Sequence, residues 1–213
     1  MSAYPQDAVT RKLAVVPAGL GTPSATRLLA GRLAEATTAR LSDEGIGTDT
    51  TVIELRDHAM AIAGNLVNGF ATEELEAVIE SLTGADGAIF STPIFTTSYS
   101  GLFKSFIDVI ERGALAGLPV IIGATGGTER HSLALDYAIR PLFTYHHATV
   151  VPTGVYAATG DWGSPGEGTG AGLPERTGRA AGELAALMRG SARSHQVRDP
   201  FALPPGFSPA GTH

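Results

Sequence analysis

The sequence contains no cysteine. That excludes a disulfide framework, a thiolate metal site and a thiol redox pair. Basic residues are few and scattered: 15 Lys and Arg stand against 21 Asp and Glu, for a formal net charge of −6. A surface that binds nucleic acid or an anionic membrane needs clustered cations, so neither partner is expected. No apolar run approaches the roughly 20 residues of a membrane helix. The opening "MSAYPQDAVTRK" lacks the apolar core of a secretory signal. Together these absences point to a cytoplasmic chain.

Several catalytic signatures are missing too. There is no Gly-Lys-Ser/Thr triplet, which excludes a P-loop, and no Gly-x-Ser-x-Gly elbow of a hydrolase. The dinucleotide fingerprint is broken. Gly19 and Gly21 fit, but Ser24 stands where the third glycine belongs, and the nearest strand-end acid, Glu54, falls too late. His146 and His147 are adjacent, so on a helix they would point about 100° apart. Asp57 and His58 have no third ligand nearby. No metal site is expected.

What remains is a globular chain, with apolar residues at 43% and charged residues at 17% of 213. Apolar strands alternate with helical periods. "KLAVVP", "TDTTVIEL", "GAIFST", "LPVIIGA" and "ATVVPTGVYA" read as five strands, apolar throughout rather than alternating. That is the pattern of a parallel sheet covered on both faces. Helices are expected from Ser24 to about Leu41 (inner face Leu29, Leu33, Ala36) and from about Thr72 to Leu82. Others follow "PIFTTSYSG", run from about His131 with a break near Arg140 at Pro141, and span about Pro174 to Met188. Gly160 to Gly172 reads as a flexible arm, and residues 191–213 as a disordered tail after a single domain spanning residues 1–190.

Ligands of an open parallel sheet bind beyond the carboxyl ends of the strands, where strand order reverses. Three loops there are unusual. "AGLGTPSATRLLAGRL" brings Ser24 and Thr26, with Thr22 nearby, to a helix N-terminus, whose unpaired N–H groups and partial positive charge suit an anion. Ser24 as a simple helix cap is the other reading. "STPIFTTSYSG" offers Phe95 and Tyr99 to a planar ring, or to packing. "ATGGTERH" sets Gly126 and Gly127 where backbone N–H groups can face a ligand, or merely make a turn.

These segments, with "RHSLALDYAIRPLF" and "YAATGDWG", resemble the flavodoxin-like NAD(P)H-dependent FMN reductases, in particular those partnered with luciferase-like monooxygenases. The likeness covers about Leu13 to Gly163. It implies a flavodoxin-like three-layer α/β sandwich with a five-stranded parallel sheet ordered 2-1-3-4-5. It implies FMN as cofactor and hydride transfer from NADPH or NADH to flavin N5, with no obligatory catalytic side chain. By the resemblance, Ser24 and Thr26 hold the FMN phosphate within the loop of Gly19, Gly21 and Thr22. Pro93, Ile94, Phe95 and Thr96 run along the isoalloxazine and ribityl, and Thr125, Gly126 and Gly127 meet the ring's far edge. Two positions depart from the family: Thr22 stands where many relatives carry arginine, and Phe95–Thr96 where many carry Tyr-Asn. A homodimer or homotetramer and a reduced-flavin-using monooxygenase are the expected partners. A flavodoxin-type electron carrier and a quinone or azo reductase are the alternatives.

Overall fold

The computed structural model describes residues 9–162, 172–191 and 193. Most of the expected glycine-rich arm and nearly all of the tail lie outside the described residues.

Strand β1 (Thr10–Pro17) buries its last five residues, and β3 (Gly87–Phe95) and β5 (Pro119–Gly126) are buried over most of their length. All three sit mid-sheet with protein on both faces, which is why their sequences do not alternate. With β2 (Gly47–Val52) the order is β2-β1-β3-β5, all parallel, followed by β6 (Thr149–Val150) and β7 (Val155–Ala158), which both pair with β5. This is the expected 2-1-3-4-5 order.

The sheet has seven strands rather than five. The fifth is split where the ladder loses its next donor: the Val151 N–H still bonds the Val120 carbonyl, but the Thr153 N–H turns to the Glu183 carboxylate at 2.8 Å. The other addition is β4 (Ser98–Tyr99), which folds back antiparallel on Ile94 and Phe95. β3 also runs past Pro93 instead of stopping before it. Ser91 faces β1, since its carbonyl accepts from the Ala18 N–H at 2.8 Å. Pro93, two residues on, points the same way. There β1 has already ended at Pro17, so no ladder bond is lost.

Helix α1 (Ala25–Asp43) and helix α6 (Leu173–Arg189) cover one face of the sheet, over a core of Leu13, Val15, Leu29, Leu33, Ile89, Ile121 and Leu184. The buried stripe of α1 passes through Thr37 rather than Ala36. Thr37 fits because its hydroxyl donates to the Leu33 carbonyl at 2.8 Å. Helices α2 (Ala59–Asn68), α3 (Glu73–Thr83), α4 (Gly101–Val109) and α5 (Arg140–Tyr145) cover the other face. Their core centres on Phe90, whose ring lies 4.6 Å from Phe143 and 6.3 Å from Phe103. α2 occupies a stretch to which the sequence pattern assigns no element. Only Ile62 of it is buried, too little to show a helical period.

The helix expected from His131 starts later. A short 3₁₀ turn covers Glu129–His131, then a π-helical turn covers Leu135–Ile139. It changes to α at Arg140, with Pro141 in the first turn, where a missing N–H costs nothing. Among the described residues no helix is long and apolar enough to cross a membrane.

Candidate flavin site

The carboxyl ends of β1, β3 and β5 bring their loops to one place. Ala18 is tied to β3 by its bond to Ser91, and the Ser91 hydroxyl donates to the Thr26 carbonyl at 3.2 Å. The Thr26 and Thr125 hydroxyls lie 2.7 Å apart. The first turn of α1 is therefore joined by direct hydrogen bonds to both neighbouring strand ends. Ile94 also packs beside Gly126, 3.8 Å from where a Cβ on that glycine would lie.

The β1–α1 loop is shaped for an anion. Ser24 is the N-cap of α1, and its hydroxyl accepts from the Arg27 N–H at 3.2 Å. No acidic residue lies in the first turn, so the positive end of the helix keeps its field. A Cβ on Gly19 would sit 2.0 Å from Ser24 Oγ; only glycine lets the loop backbone lie this close to the helix start. Gly21 and Thr22 are exposed, whereas Thr26 and Thr125 are buried. One of that threonine pair donates to the other, which leaves one hydroxyl hydrogen between them for a ligand.

In the second loop Pro93 and Ile94 are half-buried, and Phe95 and Thr96 are exposed. Tyr99 leans on Phe103 at 5.9 Å, so its ring packs inward, while Phe95 is the ring left facing solvent. The turn between β3 and β4 holds Thr96 at φ 47° and Thr97 at φ 73°. Two β-branched residues in the left-handed region are costly and occur where surroundings dictate the backbone. In the third loop the Tyr156 hydroxyl donates to the Thr128 carbonyl at 2.9 Å and fills the space beside Gly126. Burial pushes the Tyr156 phenol above its ordinary range, helped by Glu129. Gly127 is exposed and open to an approaching ligand.

One element of the site escaped the sequence reading. After β2 the chain turns through Leu55–His58, and Arg56 reaches back to the β1–α1 loop. Its Nη1 donates to the Thr22 hydroxyl and, at 3.3 Å, to the Gly21 carbonyl. Beside it Glu54 holds Arg27 at 2.7 Å. Because β2 adjoins β1, its carboxyl-end loop lies here. Arg130 and His131 are exposed. His146 is buried at the end of α5 and His147 follows it at φ 57°. Among the described residues no group of three possible ligands could hold a metal ion.

A family model described as NADPH-dependent FMN reductase matches residues 11–163. The chain belongs to that family. The family expected from the motifs, the enzyme class, and FMN with a nicotinamide donor all stand. An "FMN reductase (NADPH)" of Pseudomonas aeruginosa is 39% identical over 71% of this chain and 78% of its own length. An "NADH-dependent FMN reductase SfnF" of Pseudomonas putida is 35% identical over 69% of this chain and 77% of its own. A solved oxidoreductase from Corynebacterium diphtheriae superposes with a TM-score of 0.80 at 47% identity, covering 84% of this chain and 97% of that one. A flavodoxin, WrbA-like protein from Agrobacterium tumefaciens, at 18% identity and a TM-score of 0.56, shares the fold. The three-layer flavodoxin-like sandwich expected from the sequence is the fold of this family member.

The residues present fit FMN. A glycine-lined loop packed on a helix start without acids suits its phosphate. A hairpin and a glycine pair, both partly open to solvent, suit a flat ring between them.

Proposed function

We propose that this chain takes hydride from NADPH or NADH onto FMN and passes the reduced flavin to a monooxygenase in the cytoplasm. The observation that carries the reading is the convergence of three loops through the Thr26–Thr125 and Ser91–Thr26 hydrogen bonds. Bound FMN supplies the two-electron acceptor; the protein supplies position and field. Ser24 and Thr26, within the loop of Gly19, Gly21 and Thr22, hold the phosphate. Pro93, Ile94, Phe95 and Thr96 line one side of the ring and ribityl. Thr125, Gly126 and Gly127 meet the far edge, where negative charge gathers on reduction; the Thr125 and Gly126 N–H groups are held in the β5 ladder, so the Gly127 N–H is the one that can face it. No side chain at the site is poised as an acid or base, and none is required when the donor hydrogen moves as hydride.

Exposure of Gly21, Thr22, Phe95, Thr96 and Gly127 supports a flavin that exchanges with a partner enzyme. Self-association as a homodimer or homotetramer is supported by large exposed apolar residues. Met60, Val67 and Phe70 cluster on and after α2, with Tyr137 on the π-helical turn. Light scattering during gel filtration should return a multiple of the chain mass; a monomer refutes the assembly.

The activity is tested by anaerobic spectra. With FMN present, the absorbance near the visible maximum should bleach on adding NADPH or NADH, with turnover in air that depends on free FMN. Absence of bleaching with both nicotinamides refutes the reading. Turnover seen only with an added quinone assigns the chain to quinone reduction instead.

A further inference from the structure

We propose that Arg56, delivered from the end of β2, is the cation of the phosphate cradle and sets the preference for FMN over unphosphorylated riboflavin. The inference rests on the reading that the β1–α1 loop holds the phosphate. A phosphate monoester carries close to two negative charges at neutral pH, while a helix N-terminus offers about half a positive charge. The loop itself, from Gly19 to Ala25, supplies only amides and hydroxyls. A side-chain cation has to come from elsewhere.

Two arginines stand beside the loop. Arg27 is committed: its Nε lies 2.7 Å from the Glu54 carboxylate. Arg56 is bound to the loop itself, through Nη1 to Thr22 and Gly21. Among the described residues its one ion-pair partner is Asp57, at 3.5 Å from Nε, and the Asp57 side chain is 63% exposed, so water screens that pair. No described residue accepts a hydrogen bond from Nη2. Two N–H groups of a permanently charged fork are thus free beside the exposed Gly21 and Thr22. Arginine suits this position because one edge of the guanidinium can brace the loop while another meets a phosphate oxygen. The loop leaves no room for a long side chain at Gly19, where an added Cβ would stand 2.0 Å from Ser24 Oγ and 3.2 Å from Thr26 Cβ. β2, the edge strand beside β1, can supply one.

The experiment compares FMN and riboflavin binding by flavin fluorescence for the wild type, Arg56→Gln, Arg56→Lys and, as a surface control, Arg179→Gln. The wild type should bind FMN well over tenfold more tightly than riboflavin. Arg56→Gln should weaken FMN by roughly tenfold or more and leave riboflavin within about twofold, with a shallower dependence on salt. Arg56→Lys should recover part of the loss, and Arg179→Gln should match the wild type. If the wild type fails to prefer FMN, the phosphate reading itself falls. If it prefers FMN and Arg56→Gln keeps the whole preference, the cradle stands and Arg56 is not part of it. An equal loss for both flavins assigns Arg56 to bracing the loop alone and overturns the proposal.

Discussion

Gly126 offers a quantitative test of how the third loop is built. A Cβ at this position would stand 2.1 Å from the Tyr156 hydroxyl oxygen and 3.1 Å from the ring carbon that bears it. Non-bonded heavy atoms settle near 3.5 Å or beyond, so the ring must retreat by more than about 1 Å. Tyr156 is 4% exposed and its hydroxyl donates to the Thr128 carbonyl. Retreat therefore breaks a hydrogen bond, costing about 1 kcal/mol, and strains the packing, costing about 1–3 kcal/mol. Gly126→Ala should lower unfolding stability by about 2–4 kcal/mol. Tyr156→Phe alone removes the same hydrogen bond and should cost about 1 kcal/mol. In the double variant the nearest clashing atom is gone and the bond is lost once, not twice. The double should therefore be at least about 1 kcal/mol more stable than the two single losses added together. Urea unfolding followed by circular dichroism, with a common m-value, measures all four proteins. Losses that add to within about 0.5 kcal/mol would show that the two groups do not meet, and would refute the argument.

Replacing Thr96–Thr97 with Asn-Gly suits the two positive φ angles and should raise stability by about 1–2 kcal/mol in a thermal melt. An unchanged or lower melting temperature would contradict it. Ser24→Ala combined with Thr26→Ala should weaken FMN binding by about 1–3 kcal/mol in calorimetry, and unchanged titrations would reject those two contacts. The buried His146 has its pKa held below the ordinary histidine range by loss of water, with Asp108 opposing the shift and His147 adding to it. The unfolded chain then takes up its proton first as pH falls. Stability should accordingly decline from about pH 7 to pH 5, and His146→Gln should flatten that decline in melts recorded across the range.

The parts of the fold that showed in the sequence are those whose burial is local and repeated. β1, β3 and β5 are apolar runs because each is covered on both sides. The hydroxyl caps Ser24 and Thr72 mark helix starts because their bonds reach only three residues ahead, to Arg27 and Leu75. The sheet order came from the family resemblance that the motifs carry. The hairpin of β3 and β4 did not show, because its turn uses two threonines where Asn-Gly would be the signal. α2 did not show because a single buried residue makes no period. Arg56 did not show because its partners, Thr22 and Gly21, are more than thirty residues away, and nothing near Arg56 in sequence hints at them.

The edge of the sheet opposite the flavin loops is fastened differently. There Arg11 donates to the Met188 and Arg189 carbonyls, and Asp86 accepts from the Lys12 N–H and the Ser191 hydroxyl. Arg193 ties to Thr83, Ala114 and Ala116. Gly190, exposed, at φ −90° and with nothing within 4 Å of an added Cβ, sits among these clamps. In a chain without native thiols, Gly190→Cys gives a unique handle for a dye or a solid support. The nine residues of β3 put it about 30 Å from the flavin loops, so the enzyme can be immobilised with its working mouth turned to the solution.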